Sequence, residues 1–292
     1  MILVAGGTGL LGSRLVPDLV GDGQRVRVLA RGVHPFPVEW PDTVEHVAGD
    51  LASPADCQRA VEGCAKVVFA ASGFGLPKEG DPRSVDRDGA IRLTRAAAAA
   101  GVEHMVMMSM HGAAPDGPID FLRCKYAAEE ALKASGMAWT IVRLGVLLEQ
   151  WIGVLSGSLE AKGKAMIFGT GTAPLTFTTL ADASALVRRA LSDPALLGRT
   201  VEWGSEDHTL RELAGALIAR AGNGTIQATP SAMLRVMSVA ARPFSPFMAR
   251  MAGAGAWMDT GAMHFDLAPA RAEFPDIPIH GLKEALTGTT HE

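Results

Sequence analysis

Ile2-Leu3-Val4-Ala5-Gly6-Gly7-Thr8-Gly9-Leu10-Leu11-Gly12 opens the chain, and its reading decides the fold. Four apolar residues in a row predict a buried strand, Leu10–Leu19 an amphipathic helix, and the glycines between them a turn that joins the two. Gly6 permits the tight turn, Gly9 lets backbone come close to a pyrophosphate, and Gly12 lets the helix pack against the strand. A helix that starts there points free N–H groups and its positive dipole end at an anion. Gly6, Thr8, Gly9, Leu10, Leu11 and Gly12 are therefore the expected pyrophosphate-binding residues of a dinucleotide site.

The pattern downstream supports this. Strands are predicted at Arg25–Ala30, Val44–Ala48, Lys66–Ala71, His104–Ser109 and Trp139–Leu144, with helices at Pro54–Val61, Asp86–Ala100 and Phe121–Ser135. Such alternation gives an α/β fold, a doubly wound parallel sheet of Rossmann type. After about residue 150 the rhythm changes. A strand at Pro174–Leu180, a helix at Asp182–Leu191, a capping-box helix at Thr209–Ala221 and a helical stretch Ser231–Trp257 broken at Pro243 and Pro246 are the readable elements. The expected organisation is a dinucleotide domain over 1–150, with 174–203 returning to it. Residues 151–173 and 204–292 are expected to form a smaller C-terminal substrate lobe.

The end of the second predicted strand reads Ala30-Arg31-Gly32, where NAD-specific proteins carry an acid for the ribose 2′-hydroxyl. Arg31, with Arg14 from the first helix, suits a 2′-phosphate, so NADP(H) is expected over NAD(H). Asp50, in Gly49-Asp50-Leu51, is placed to accept from the adenine amino group or to cap its own turn. Ala70, Ala71 and Ser72 are small residues that let backbone pass close to the cofactor.

Composition excludes several classes. The chain has 292 residues and a net charge of −4, which gives no basic face for nucleic acid. Three cysteines without metal spacing imply neither a disulfide framework nor a metal centre. No secretory signal or spanning segment is legible, so a cytoplasmic protein, monomer or homodimer, with a small-molecule substrate is expected. No Gly-x-Ser-x-Gly elbow marks a hydrolase.

The chain resembles the atypical and extended short-chain dehydrogenase/reductases, especially the NmrA-like group. The likeness rests on Gly6–Gly12, Val28-Leu29-Ala30-Arg31, Gly49-Asp50-Leu51, Val85–Gly89, Gly101-Val102-Glu103-His104, Lys125–Glu129 and Ser135–Arg143. It covers residues 1–200 well and the remainder loosely. The family's catalytic pattern is Tyr-x-x-x-Lys with a serine after the fifth strand. Here the stretch is Phe121-Leu122-Arg123-Cys124-Lys125, so the lysine is kept and the proton-donating tyrosine is a phenylalanine. Tyr126 points about 100° away around the helix and is a poor substitute. The resemblance implies that Lys125 binds the nicotinamide ribose, the alternative being a surface lysine paired with Glu129. Ser109 and His111 are the remaining acid–base candidates, His111 also being readable as a loop histidine.

Asp182 reads as a helix N-cap, Asp116 and Asp120 as caps before the Lys125 helix, and His264 as structural. The segment Met233–Met258, with five methionines and three arginines, reads as a packed helix pair, a lid or a membrane-surface contact. Two functions follow. One is an NADPH-dependent oxidoreductase acting on a small apolar carbonyl, enone or quinone. The other is a non-catalytic NADP(H)-binding redox sensor. An epimerase or dehydratase would want the missing tyrosine.

Overall fold

The computed structural model describes residues 1–32, 40–76 and 80–288. The strands are β1 (Ile2–Ala5), β2 (Val26–Ala30), β3 (Glu45–Ala48), β4 (Lys66–Phe69), β5 (His104–Met110), β6 (Ala138–Leu144) and β7 (Val146–Leu147). They continue with β8 (Lys164–Phe168), β9 (Leu175–Thr178), β10 (Arg199–Trp203), β11 (Glu206–His208) and β12 (Thr225–Thr229). The longer helices are α1 (Leu10–Gly21), α2 (Pro54–Val61), α3 (Ala90–Ala99), α4 (Asp120–Lys133) and α5 (Leu148–Lys162). After them come α6 (Leu180–Ser192), α7 (Leu210–Ala221), α8 (Ser231–Ala240) and α9 (Pro246–Met258). The chain divides into two compact units, Met1–Arg143 with Ala183–Glu202, and Leu144–Asp182 with Trp203–Glu292.

The first unit is built on a parallel seven-stranded sheet in the order β10-β6-β5-β4-β1-β2-β3. The order reverses between β1 and β4, which makes their carboxyl ends the topological switch point where an open α/β sheet binds ligands. Strand continuity explains the sheet. Ile2–Ala5 and Val67–Phe69 are buried at every position, as strands covered on both faces must be. Leu3, Val67, Phe69, Leu93, Met105 and Ile141 share one core cluster.

The helix before β5 departs from the expected form. It begins at Pro82 rather than Asp86, and Pro82–Gly89 winds as a π-helix before continuing as α3. Asp81 caps it through a reciprocal pair of hydrogen bonds with Ser84. The wider winding places Asp86 inside, with no exposed surface.

In the second unit, β11-β9-β7 form one small sheet and β12-β8 another. The predicted strand near 174–180 therefore joins β7 and β11, not the large sheet. Sequence periodicity also passed over α5, β8, β10 and β12, whose polar and apolar residues do not alternate cleanly. The Thr209 capping box and the break between Ala240 and Pro246 appear as read. No helix among the described residues is long and apolar enough to cross a membrane.

Two expectations about caps are corrected. The α6 cap is Thr179, whose hydroxyl accepts from Asp182 N at 3.3 Å. Asp182 itself is fully buried and accepts from Ser205 Oγ at 2.5 Å and from His280 Nδ1 at 2.5 Å. With His280 N donating as well at 3.2 Å, three donors satisfy the carboxylate without water, which is what its burial requires. Asp120 is the first residue of α4 and pairs with Arg83 at 2.8 Å, while Ile119 occupies the cap.

His104 is buried at the start of β5, and its Nε2 lies 3.0 Å from Thr140 Oγ1. That hydroxyl donates its own hydrogen to Leu196 O, so His104 Nε2 carries the proton and donates. Burial, with Lys66 nearby, pulls the imidazole pKa down to about 4 from 6.5. The unfolded chain thus binds this proton before the folded one does as pH falls. The stability contributed by neutral His104 is complete above pH 6.5 and is lost between there and about pH 4. Unfolding free energies from urea titrations at neutral and acidic pH are expected to differ by up to about 3 kcal/mol from this group, and His104→Gln is expected to flatten that dependence.

Candidate functional site

The turn after β1 is shaped for close approach. Gly6 adopts φ 89°, and a Cβ on it would lie 2.6 Å from Ala71 N. A Cβ on Gly12 would collide with Gly6 O and Gly7 Cα. The helix start therefore rests directly on the strand end, with Gly9 N donating to Gly6 O at 3.0 Å. Gly9 is the N-cap of α1 and supplies no side-chain bond. The amides of Leu10, Leu11 and Gly12 are the ones that a helix leaves without intrahelical partners at its start. Thr8 and Leu10 are exposed beside them. A cradle lined with unprotected amides and free of Cβ atoms fits a pyrophosphate.

The neighbouring strand ends extend this edge. Gly49 N donates to Ala30 O at 3.0 Å, which sets Arg31 and Asp50 at the same rim. Both are exposed. Asp50 Oδ1 accepts from Ala52 N at 2.8 Å, so it does hold its own turn, and Ser53 caps α2. Leu51 is half-buried behind it. Arg14 is engaged with Asp18 at 3.0 Å. Beyond β4, Ala70 N donates to Ala5 O at 2.9 Å, and Ala71 and Ser72 follow at the switch point, Ser72 exposed.

Lys125 is not at the surface and does not pair with Glu129. Its ammonium lies 2.9 Å from Asp86 Oδ1 and donates to Met108 O at 3.1 Å. The other Asp86 oxygen accepts from Gly73 N at 2.8 Å. A buried cation is thus matched by a buried anion that also orders the strand end where Ala71 and Ser72 lie. The Phe121 ring lies 5.4 Å from the ammonium and packs against Phe74 at a tilt of 41°, with ring centroids 4.7 Å apart. Phe121 occupies the resemblance's tyrosine position as part of an aromatic floor.

Ser109 is also buried, and its hydroxyl donates to Glu129 Oε1 at 2.5 Å. Glu129, fully buried, is gripped by Arg143 through Nε at 2.9 Å and Nη2 at 2.7 Å. Arg143 Nη1 approaches Glu202 at 3.7 Å, and Glu202 Oε2 meets His111 Nδ1 at 3.1 Å. The His111 hydrogen bond holds the Glu202 carboxyl below the usual range despite burial. β5, α4, β6 and β10 therefore bring Ser109 and His111 to the two ends of one charge chain. Sequence reading missed Asp86, Glu129, Arg143 and Glu202. Charged residues in a strand or on a helix face read as solvated, and only the three-dimensional pairing distinguishes them.

The fold and this edge define a nicotinamide dinucleotide-binding α/β protein. Residues 6–166 match the NAD(P)H-binding family, to which the chain belongs. It is 31% identical over 234 residues to an NAD(P)H azoreductase of Xenophilus azovorans, covering 76% of this chain and 74% of that one. It is 26% identical to the photosystem II assembly factor Ycf39 of Synechocystis, covering 94% and 85%. The NADPH complex of an Escherichia coli NADPH-dependent quinone oxidoreductase superposes with a TM-score of 0.77 at 21% identity, covering 100% of both chains. That likeness concerns the fold. These matches agree with the resemblance to extended short-chain dehydrogenase/reductases.

Removing one member of the buried pair leaves the other charge uncompensated. Asp86→Asn, which keeps an acceptor for Gly73 N, is expected to cost about 3–5 kcal/mol in urea unfolding. Adding Lys125→Met is expected to recover much of that loss, because the stranded ammonium is gone.

Proposed function

We propose that this protein is an NADPH-dependent oxidoreductase whose substrate is a small, apolar, conjugated molecule such as a quinone or enone. The observation that carries this reading is the Phe74–Phe121 aromatic contact beside the inward-turned Lys125, where the resemblance would put a proton-donating tyrosine. The bound nicotinamide supplies a hydride. A phenyl ring donates no proton, so a substrate whose negative charge must be neutralised at residue 121 is disfavoured. In a quinone or enone the charge develops on an oxygen conjugated to, but distant from, the reduced carbon. Solvent or His111, oriented by Glu202, then provides the proton. The aromatic floor suits a flat π-system. The NAD(P)H azoreductase relative acts on another flat conjugated class by its name, which makes azo compounds a third group to test.

In this reading the amides of Leu10, Leu11 and Gly12 hold the pyrophosphate, and Asp50 accepts from the adenine. Arg31 meets the 2′-phosphate, since the end of β2 carries no acid to repel it. Lys125 acts mainly through Asp86, keeping the Gly73 backbone in place, with any remaining N–H directed to the ribose. Ser109 serves as an acceptor toward substrate, because its hydrogen is committed to Glu129.

A second reading rests on that same commitment. Phe121 has no proton to give and Ser109 has donated its own, which favours a non-catalytic NADP(H) sensor. One relative is named for assembly rather than for reduction, which supports a role other than turnover.

The deciding assay follows NADPH oxidation with quinones, enones and azo compounds after fluorescence titration of both cofactors. Turnover supports the oxidoreductase, whereas tight binding without turnover across the panel moves the assignment to the sensor. Arg31→Glu is expected to weaken NADPH binding by about tenfold or more and to spare NADH. Unchanged NADPH affinity in that variant would exclude Arg31 as the 2′-phosphate ligand.

A further inference from the structure

Helices α8 and α9 form a hairpin whose inner side is well packed. Leu234 joins Ala252 and Ala256 in a small cluster, with Met237 and Phe168 against it. Gly255 is small because Phe168 lies where its Cβ would go, 2.8 Å away. This settles the packed-pair reading for one side of the hairpin only.

The other side is apolar and exposed. Met233 is 56% exposed, Val236 66%, Val239 62%, and Phe244, at the turn between the helices, 89%. At 100° per residue, Arg235, Val239, Val236, Ala240 and Met233 fall within an arc of about 160° on α8, opposite Leu234 and Met237. A contiguous apolar face of this kind marks an interaction site. Phe244 lies between Pro243 and Pro246, so the backbone that presents its ring has few alternatives.

The charge of the segment identifies the partner. Between Ser231 and Met258 stand three arginines, Arg235, Arg242 and Arg250, with no acidic residue, in a chain whose net charge is −4. Arg235 and Arg242 are exposed and lie in no ion pair among the described residues. The nearest carboxylate in sequence, Asp259, is turned to Thr170, accepting from its N and its hydroxyl at 2.8 Å each, and to Ser231. A second copy of this chain would set these arginines against their own kind. An anionic surface with an apolar interior answers both features at once.

We propose that the α8–α9 hairpin docks this protein on an anionic phospholipid surface. The Phe244 turn and the Val236–Val239 face enter the headgroup–acyl boundary, and Arg235 and Arg242 meet lipid phosphates. The depth an interfacial helix reaches, about 5–10 Å, is matched by one exposed helix face and one protruding ring.

Flotation with vesicles of phosphatidylcholine alone, and of phosphatidylcholine mixed with phosphatidylglycerol, tests the proposal on the full chain. The protein is expected to float with the mixed vesicles, weakly or not with the neutral ones, and to release as salt screens the arginines. Arg235→Gln with Arg242→Gln is expected to lower partitioning by roughly tenfold to thirtyfold. A Val236→Gln, Val239→Gln, Phe244→Ser variant is expected to abolish it while NADPH titration and the thermal midpoint match wild type. If the triple variant unfolds, the arginine pair alone decides. Equal binding to both vesicle types, no flotation, or flotation unaffected by the arginine changes would each overturn the proposal. So would a concentration-dependent dimer that Phe244→Ser dissolves without any lipid binding.

Discussion

Close contact between backbone and backbone at the end of β1 is the constraint on which the first unit depends. The amino end of α1 sits on Gly6 and Gly7, and the end of β4 runs past Gly6 at Ala71, with no room for a Cβ at either approach. Once these segments meet, the parallel order around β1 follows and three unprotected amides gather at one point. The same glycines that let the core close also leave a cradle of backbone amides free of Cβ atoms, the shape an anion site requires. Packing and binding are here one physical requirement, because any side chain that filled the cradle would also push helix from strand.

In the same unit, the candidate site residues Lys125 and Ser109 are held by buried charges. Lys125 is matched by Asp86, and Ser109 by Glu129 and Arg143. Buried ion pairs contribute little net stability, since desolvation offsets the attraction, but they penalise any arrangement that separates them. That makes them positioning devices. Asp86 fixes the Gly73 backbone, and the chain from Glu129 to Glu202 fixes where Ser109 and His111 stand. The aromatic pair Phe74–Phe121 fills the space that a phenol would otherwise use. With a phenylalanine at position 121 there is no phenol to donate a proton, which is why the proposed function favours conjugated substrates.

Much of this was legible in the residues, and the pattern of what was not is instructive. The glycine turn, the buried strands and the Thr209 capping box each depend on local preferences within a few residues, so they survive translation into three dimensions nearly unchanged. Asp182 read as a cap because acids near helix starts usually are. It instead lies buried against Ser205 and His280, the latter almost a hundred positions away along the chain. Lys125 and Glu129 read as an i,i+4 pair on a helix surface, yet both are buried and each has a different partner. Strands β8, β10 and β12 escaped notice because their pairing, not their composition, makes them strands.

The sequence by itself determined the parallel α/β sheet, the glycine turn between β1 and α1, and the acid-free end of β2. All three rest on steric and hydrogen-bonding rules that act between neighbours. Only the tertiary structure decided which charges are buried and whom they meet. It also decided that one face of the α8–α9 hairpin is packed while the other is left to solvent. Both outcomes depend on segments distant in sequence arriving side by side, and the free energy of a charge or an apolar face is set by what arrives there rather than by the residue itself.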